Sequence, residues 1–125
     1  MPIIEIKSLP PRADADVSRA VKNVSWEVAK VLGVPPEVVR AVWTPVAPEH
    51  YAEGGTLGKE QGQWTHPPIV TITAAPGRSQ ELIENAIRCA AECLAKDLAL
   101  PLENIFVSYN EAAPGRLFTK GAFKS

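Results

Sequence analysis

Long hydrophobic runs are missing from this chain. The longest span only a few residues, too short for a membrane-crossing helix. Charged Glu5 and Lys7 follow the initiator too closely for the apolar core of a signal peptide. No charge of one sign dominates either: 13 Lys and Arg oppose 14 Asp and Glu, a formal net charge of −1. Such a balance leaves no electrostatic footprint for nucleic acid or an anionic membrane. Cysteine is scarce as well, with two residues in 125. Cys89 and Cys93 stand one helical turn apart in a helical pattern, which is neither a redox C-x-x-C pair nor a set of metal ligands. Two buried thiols in a reducing compartment are expected, and a soluble cytoplasmic protein follows by default. What is present suffices for a core: 46% of the residues are hydrophobic, and the length suits one domain over 1–125.

The chain opens on Met1-Pro2-Ile3-Ile4-Glu5-Ile6-Lys7, a short apolar strand. Removal of Met1 would make Pro2 the terminus and turn its nitrogen into a secondary amine on a rigid ring. An α-amino group titrates near ~8, and burial or a nearby cation lowers that. A neutral base at pH 7 is then available without His or Glu. The plainer alternative is that Pro2 starts an edge strand, where a missing N–H costs little.

Residues 2–8 read as a strand and Leu9-Pro10-Pro11-Arg12 as a turn. Asp14 or Asp16 can cap the helix that follows, whose apolar face is Val17, Val21, Val24, Val28 and Val31/Leu32. Gly33-Val34-Pro35-Pro36 ends it. Val38–Thr44 is a second strand, stopped by Pro45 and Pro48. Residues 49–67, with Gly54-Gly55, Gly58 and Gly62, form a polar connection that includes a hairpin. The pattern then restarts. Pro68–Ala74 is a strand, Pro76-Gly77-Arg78 a turn, and Ser79 a cap. The next helix presents Leu82/Ile83, Ala86/Ile87, Ala90, Leu94 and Leu98, and Pro101 closes it. Asn104–Tyr109 is a strand, and Pro114-Gly115 turns into a short tail.

The restart is a repeat. Residues 2–46 superpose on 68–112 without a gap at an offset of 66, and about eleven of the 45 paired positions are identical. Among them are Pro2/Pro68, Pro10/Pro76, Arg12/Arg78, Leu32/Leu98, Pro35/Pro101 and Glu37/Glu103. Each unit is strand–helix–strand, a right-handed βαβ unit with parallel strands. Two such units, joined by 47–67, predict an α+β fold: a four-stranded mixed sheet with two helices on one face. The other face mixes Ile3, Glu5 and Lys7 with Ile69, Thr71 and Thr73. A bare mixed face with open edges predicts assembly into a ring.

Departures from the repeat suggest function. Pro68 is internal, so its nitrogen is an amide. Arg40 stands mid-strand where the second half has Phe106, and Tyr51 and Glu53 are matched by Leu117 and Thr119. A cation within a short apolar strand costs stability unless it is paired, faces a cavity or lies on the wetter sheet face. Arg12 and Arg78 occupy equivalent turns.

On these residues each half resembles a subunit of 4-oxalocrotonate tautomerase, the small member of the tautomerase superfamily. The likeness rests on Pro2, Arg12, Arg40, His50-Tyr51 and Gly54-Gly55 in gapless spacing. Pro68, Pro76-Gly77-Arg78-Ser79 and Leu102-Glu103-Asn104-Ile105-Phe106 continue it. The double length is similar to the superfamily's longer trimeric members: cis-3-chloroacrylic acid dehalogenase, malonate semialdehyde decarboxylase and macrophage migration inhibitory factor. The resemblance implies a cofactor-independent isomerase of enol or 2-oxo acids, with no metal, working as a homotrimer on a small carboxylate. Pro2, freed of Met1, would be the general base, and arginines would hold the carboxylate and polarise its carbonyl. It further implies that the turn arginine comes from the partner unit, so Arg78 serves Pro2 while Arg12 sits with the blocked Pro68. Arg40 would enter from a neighbouring protomer, with Tyr51 and Phe106 as apolar walls.

Two rivals share this scaffold. Hydration or dehalogenation resembles a second turn arginine plus a water-activating glutamate. Ala75 fills the first position, and Glu53 occupies the second in the first repeat only. The decarboxylase's acidic partner would fall near Val38, beside Glu37. A retained Met1 would leave Pro2 an amide and the protein a non-catalytic trimeric binding module.

Overall fold

Along β1 (Ile3–Ser8) burial alternates with the sequence: Ile4, Ile6 and Ser8 are covered while Glu5 and Lys7 face outward. The computed structural model describes residues 2–60 and 66–124. Met1 and Gly62, both named above, lie outside them. Helix α1 (Val17–Leu32) starts at Asp16, whose side chain accepts the Arg19 N–H at 3.0 Å. It stops at Gly33, whose φ of 67° suits a residue without Cβ. Helix α2 (Gln80–Leu98) is capped by Ser79 through the Leu82 N–H and ends on Ala99 in the same left-handed conformation.

Strands β2 (Arg40–Pro45), β5 (Ile69–Ala74) and β6 (Phe106–Glu111) complete a sheet of order β2-β1-β5-β6. β1 runs parallel to β2, and β5 parallel to β6, while the central pair β1 and β5 is antiparallel. The tandem α+β fold expected from the repeat is therefore the fold observed, with both helices on one face. Ile4, Ile6, Val70 and Ile72 close the core against Val24, Val28, Leu94 and Leu98. Asp97 links the helices, accepting from Asn23 Nδ2 at 3.0 Å and pairing with Arg19 Nε at 3.8 Å. Of the described helices, none is long and apolar enough to cross a membrane.

Several boundaries differ from expectation. Strands β2 and β6 begin two residues late, because Pro36–Val38 and Leu102–Asn104 form 3-10 turns. Pro45 is the last residue of β2, one beyond the expected end at Thr44, which an edge strand tolerates since no neighbour needs its N–H. The C-terminal tail is not loose: β7 (Phe118–Thr119) and β8 (Ala122–Phe123) form a hairpin. It repeats, at the offset of 66, the hairpin of β3 (Ala52–Glu53) and β4 (Thr56–Leu57). Both turn on two positive-φ residues, Gly54-Gly55 in one and Lys120-Gly121 in the other.

Candidate active site

The antiparallel pairing of β1 with β5 decides what meets at each end of the sheet. Ile3 lies opposite Thr73, so the chain entering β1 through Pro2 adjoins the chain leaving β5 toward Arg78. Lys7 lies opposite Ile69, so the turn carrying Arg12 adjoins Pro68. Each turn thus leaves the sheet at the end where the other repeat's proline enters it. The two arginines differ in company. Arg12 Nε pairs with Asp14 at 3.8 Å, whereas Arg78 Nη1 donates to the Ala75 carbonyl at 3.4 Å. The counterpart of Asp14 in the second turn is neutral Gln80.

Pro2 and Pro68 are both fully buried in the chain, each by the same local rule. The Arg40 N–H donates to the Pro2 carbonyl and the Phe106 N–H to the Pro68 carbonyl, both at 3.1 Å. Arg40 is in register with Ile3, and its side chain is exposed on the open sheet face.

Tyr51 and Phe106 come together, but not beside Pro2. With Ala52, Glu53, Pro67 and Ile69 they line a recess of about 280 Å³ at the Pro68 end. A six-residue strand separates the two ends, roughly 20 Å. The Tyr51 hydroxyl donates to the Pro67 carbonyl, and its ring meets His66 edge-on at a centroid distance of 4.9 Å. Burial, and then the charge of Glu53, push the Tyr51 hydroxyl's pKa up, so it stays a donor. His66, which the sequence did not single out, is buried with Nε2 at 2.9 Å from the Thr56 carbonyl oxygen.

At the Pro2 end the corresponding space is a cavity of about 160 Å³ lined by Val38, Arg40, Thr119, Lys120 and Lys124. The two lysines also escaped the sequence reading, although the offset of 66, continued past Ala112, pointed at their hairpin. Cys89 and Cys93 share α2 and are half-buried, not buried as expected, because they stand at the margin of the helix's core face; partial desolvation still raises both thiols, Cys93 to about 12. Thiols held protonated in this way make poor nucleophiles. Among the described residues no group of three or more His, Cys, Asp or Glu could hold a metal ion.

No family model matches the chain. A probable tautomerase of Staphylococcus epidermidis is 34% identical over 61 residues, which are 49% of this chain and 100% of that protein. The chain belongs to the tautomerase superfamily. A probable tautomerase of Lactiplantibacillus plantarum agrees, at 34% identity over 58 residues and 91% of its length. A whole relative thus corresponds to half of this chain, as the internal repeat requires. Native fused 4-OT superposes with a TM-score of 0.88 at 20% identity, covering 97% of this chain and 94% of that one. A member of the cis-3-chloroacrylic acid dehalogenase family superposes at 0.77 with 17% identity, covering 98% and 83%. The chain therefore has the fold of the fused two-unit proteins.

Proposed function

We propose that this tautomerase isomerises enol or 2-oxo carboxylic acids without a cofactor, as a homotrimer, using Pro2 as general base once Met1 is removed. The observation that carries the reading is the antiparallel β1–β5 register: Pro2, Arg40 and the Arg78 turn share one end of the sheet. A desolvated amine at this position would disfavour the ammonium and stay available as a base. Arg78 and Arg40 bind the carboxylate and polarise the carbonyl as its oxygen gains charge. Arg12 belongs to the Pro68 end, where the nitrogen is an amide and cannot take a proton. Tyr51 and Phe106 contribute an apolar wall to that second end.

Isomerisation fits better than hydration. Glu53, the candidate for activating water, lines the recess at the Pro68 end rather than the cavity at the Pro2 end. The test uses protein shown by mass spectrometry to lack Met1, assayed on 2-hydroxymuconate, phenylenolpyruvate and a 3-haloacrylate. Turnover of the two enol acids is expected, and Pro2→Ala should lose about 10²- to 10⁴-fold in kcat/KM. Full activity in that variant, or turnover of the haloacrylate alone, overturns the reading.

A further inference from the structure

Both cysteines of the chain line one groove between the two helices. The groove encloses about 360 Å³ and meets solvent at Arg88 and Glu92, which are exposed. It belongs to the helical layer, opposite the open sheet face, so association through that face leaves it accessible. Glu27 of α1 stands within electrostatic reach of both thiols.

Side chains four apart on a helix point to one side, with Cβ atoms about 5–6 Å apart. A disulfide needs about 3.5–4.5 Å. A regular helix cannot close one at this spacing, and α2 runs unbroken from Gln80 to Leu98. The same spacing suits a metal bridge. Two metal–sulfur bonds of about 2.3 Å set in line part the sulfurs by about 4.6 Å. Side chains leaning toward each other reach that separation without bending the helix. Cys89 and Cys93 already lean so, since each is the other's hydrogen-bond neighbour. A spacing of four excludes a C-x-x-C couple, but not an ion that takes two ligands. Among the described residues no third His, Cys, Asp or Glu completes a metal-binding group. Zinc, which takes four ligands, is left short. A soft monovalent ion is satisfied by two, and thiolate ligands select copper(I).

We propose that Cys89 and Cys93 form a two-coordinate site for copper(I) in the groove between α1 and α2. The site is separate from the candidate active site and does not depend on the isomerase reading. Binding breaks two S–H bonds, forms two copper–sulfur bonds and releases two protons to solvent. Copper stays at +1 and no electron moves. The bis-thiolate complex carries one net negative charge, which Arg88 on the groove wall and Lys30 beside Cys89 offset.

The test offers copper(I), held by a competing chelator in ascorbate under nitrogen, to the whole protein. One copper per chain is expected, with a thiolate-to-copper charge-transfer band in the ultraviolet. Cys89→Ser and Cys93→Ser should each weaken binding by about 10²- to 10⁴-fold, because the second ligand is no longer held in the same molecule. A displaced pair keeps the number of thiols constant. Cys93→Ser combined with Lys96→Cys, at an exposed position, sets the thiols two turns apart, about 10.5 Å along the axis. It should bind no better than the single variants. Oxidised glutathione should leave the parent protein without an internal disulfide. A parent protein that takes up no copper, undiminished uptake by the displaced pair, or copper that joins two chains overturns the site. A readily formed internal disulfide overturns the spacing on which it stands.

Discussion

Arg12 and Arg78 show how little residue identity says about role. They occupy the same turn of the same repeat unit, yet one pairs with Asp14 and the other meets a backbone carbonyl. In the proposed mechanism Arg78→Ala removes a charge-assisted contact to the substrate carboxylate. That should cost roughly ten- to a hundredfold in kcat/KM. Arg12→Ala should cost far less in the same assay, and a larger loss there would exchange the two assignments. Arg40→Ala should chiefly depress kcat if the guanidinium polarises the carbonyl as charge develops, and chiefly raise KM if it only anchors the acid.

At the scale of elements, the two hairpins carry most of the difference between the halves. The first is seated by contact with Leu9: a Cβ on Gly58 would stand 2.9 Å from the Leu9 side chain and 3.2 Å from the Pro48 carbonyl oxygen. Leu9 is buried and the Pro48 oxygen is backbone. Gly58→Ala should therefore destabilise the fold by about 1–3 kcal/mol, read as a lower midpoint in denaturant. Helix α2 makes a second prediction through its thiols. Both cysteine pKa values are raised by burial, so the native state holds these protons to higher pH than the unfolded chain does. Above the ordinary thiol value near ~9 the unfolded state binds fewer protons, and stability falls as pH rises. Thermal midpoints should drop across this alkaline range, and Cys93→Ala should flatten the drop. An unchanged slope in that variant would assign the alkaline loss to other groups.

For the whole molecule, the open sheet face sets the expectation. Val42 and Phe106 are 52% and 57% exposed on the face away from the helices, and β2 and β6 leave unpaired edges. A single chain with such a surface is prone to association. Sedimentation at micromolar concentration should give a trimer, and a stable monomer would refute it. Val42→Lys should shift the balance toward smaller species without unfolding the chain, since the side chain takes no part in the core.

Local rules written in the residues determined the elements and their repetition. Asp16 and Ser79 started the helices, the apolar spacing chose the buried helix faces, and the gapless offset of 66 implied two βαβ units before any strand was paired. These features depend on neighbours a few positions apart, which a sequence displays directly. The partition of the two ends was different. The resemblance implied Tyr51 as an apolar wall beside the amine, but within one chain the connection after β2 delivers Tyr51 to the Pro68 end. The connection after β6 crosses the other way and brings Lys120 and Lys124 to Arg40, about eighty residues earlier in the chain. Only the tertiary structure could decide such meetings, because they depend on the antiparallel register of β1 with β5, a pairing between segments that carry no local mark of each other.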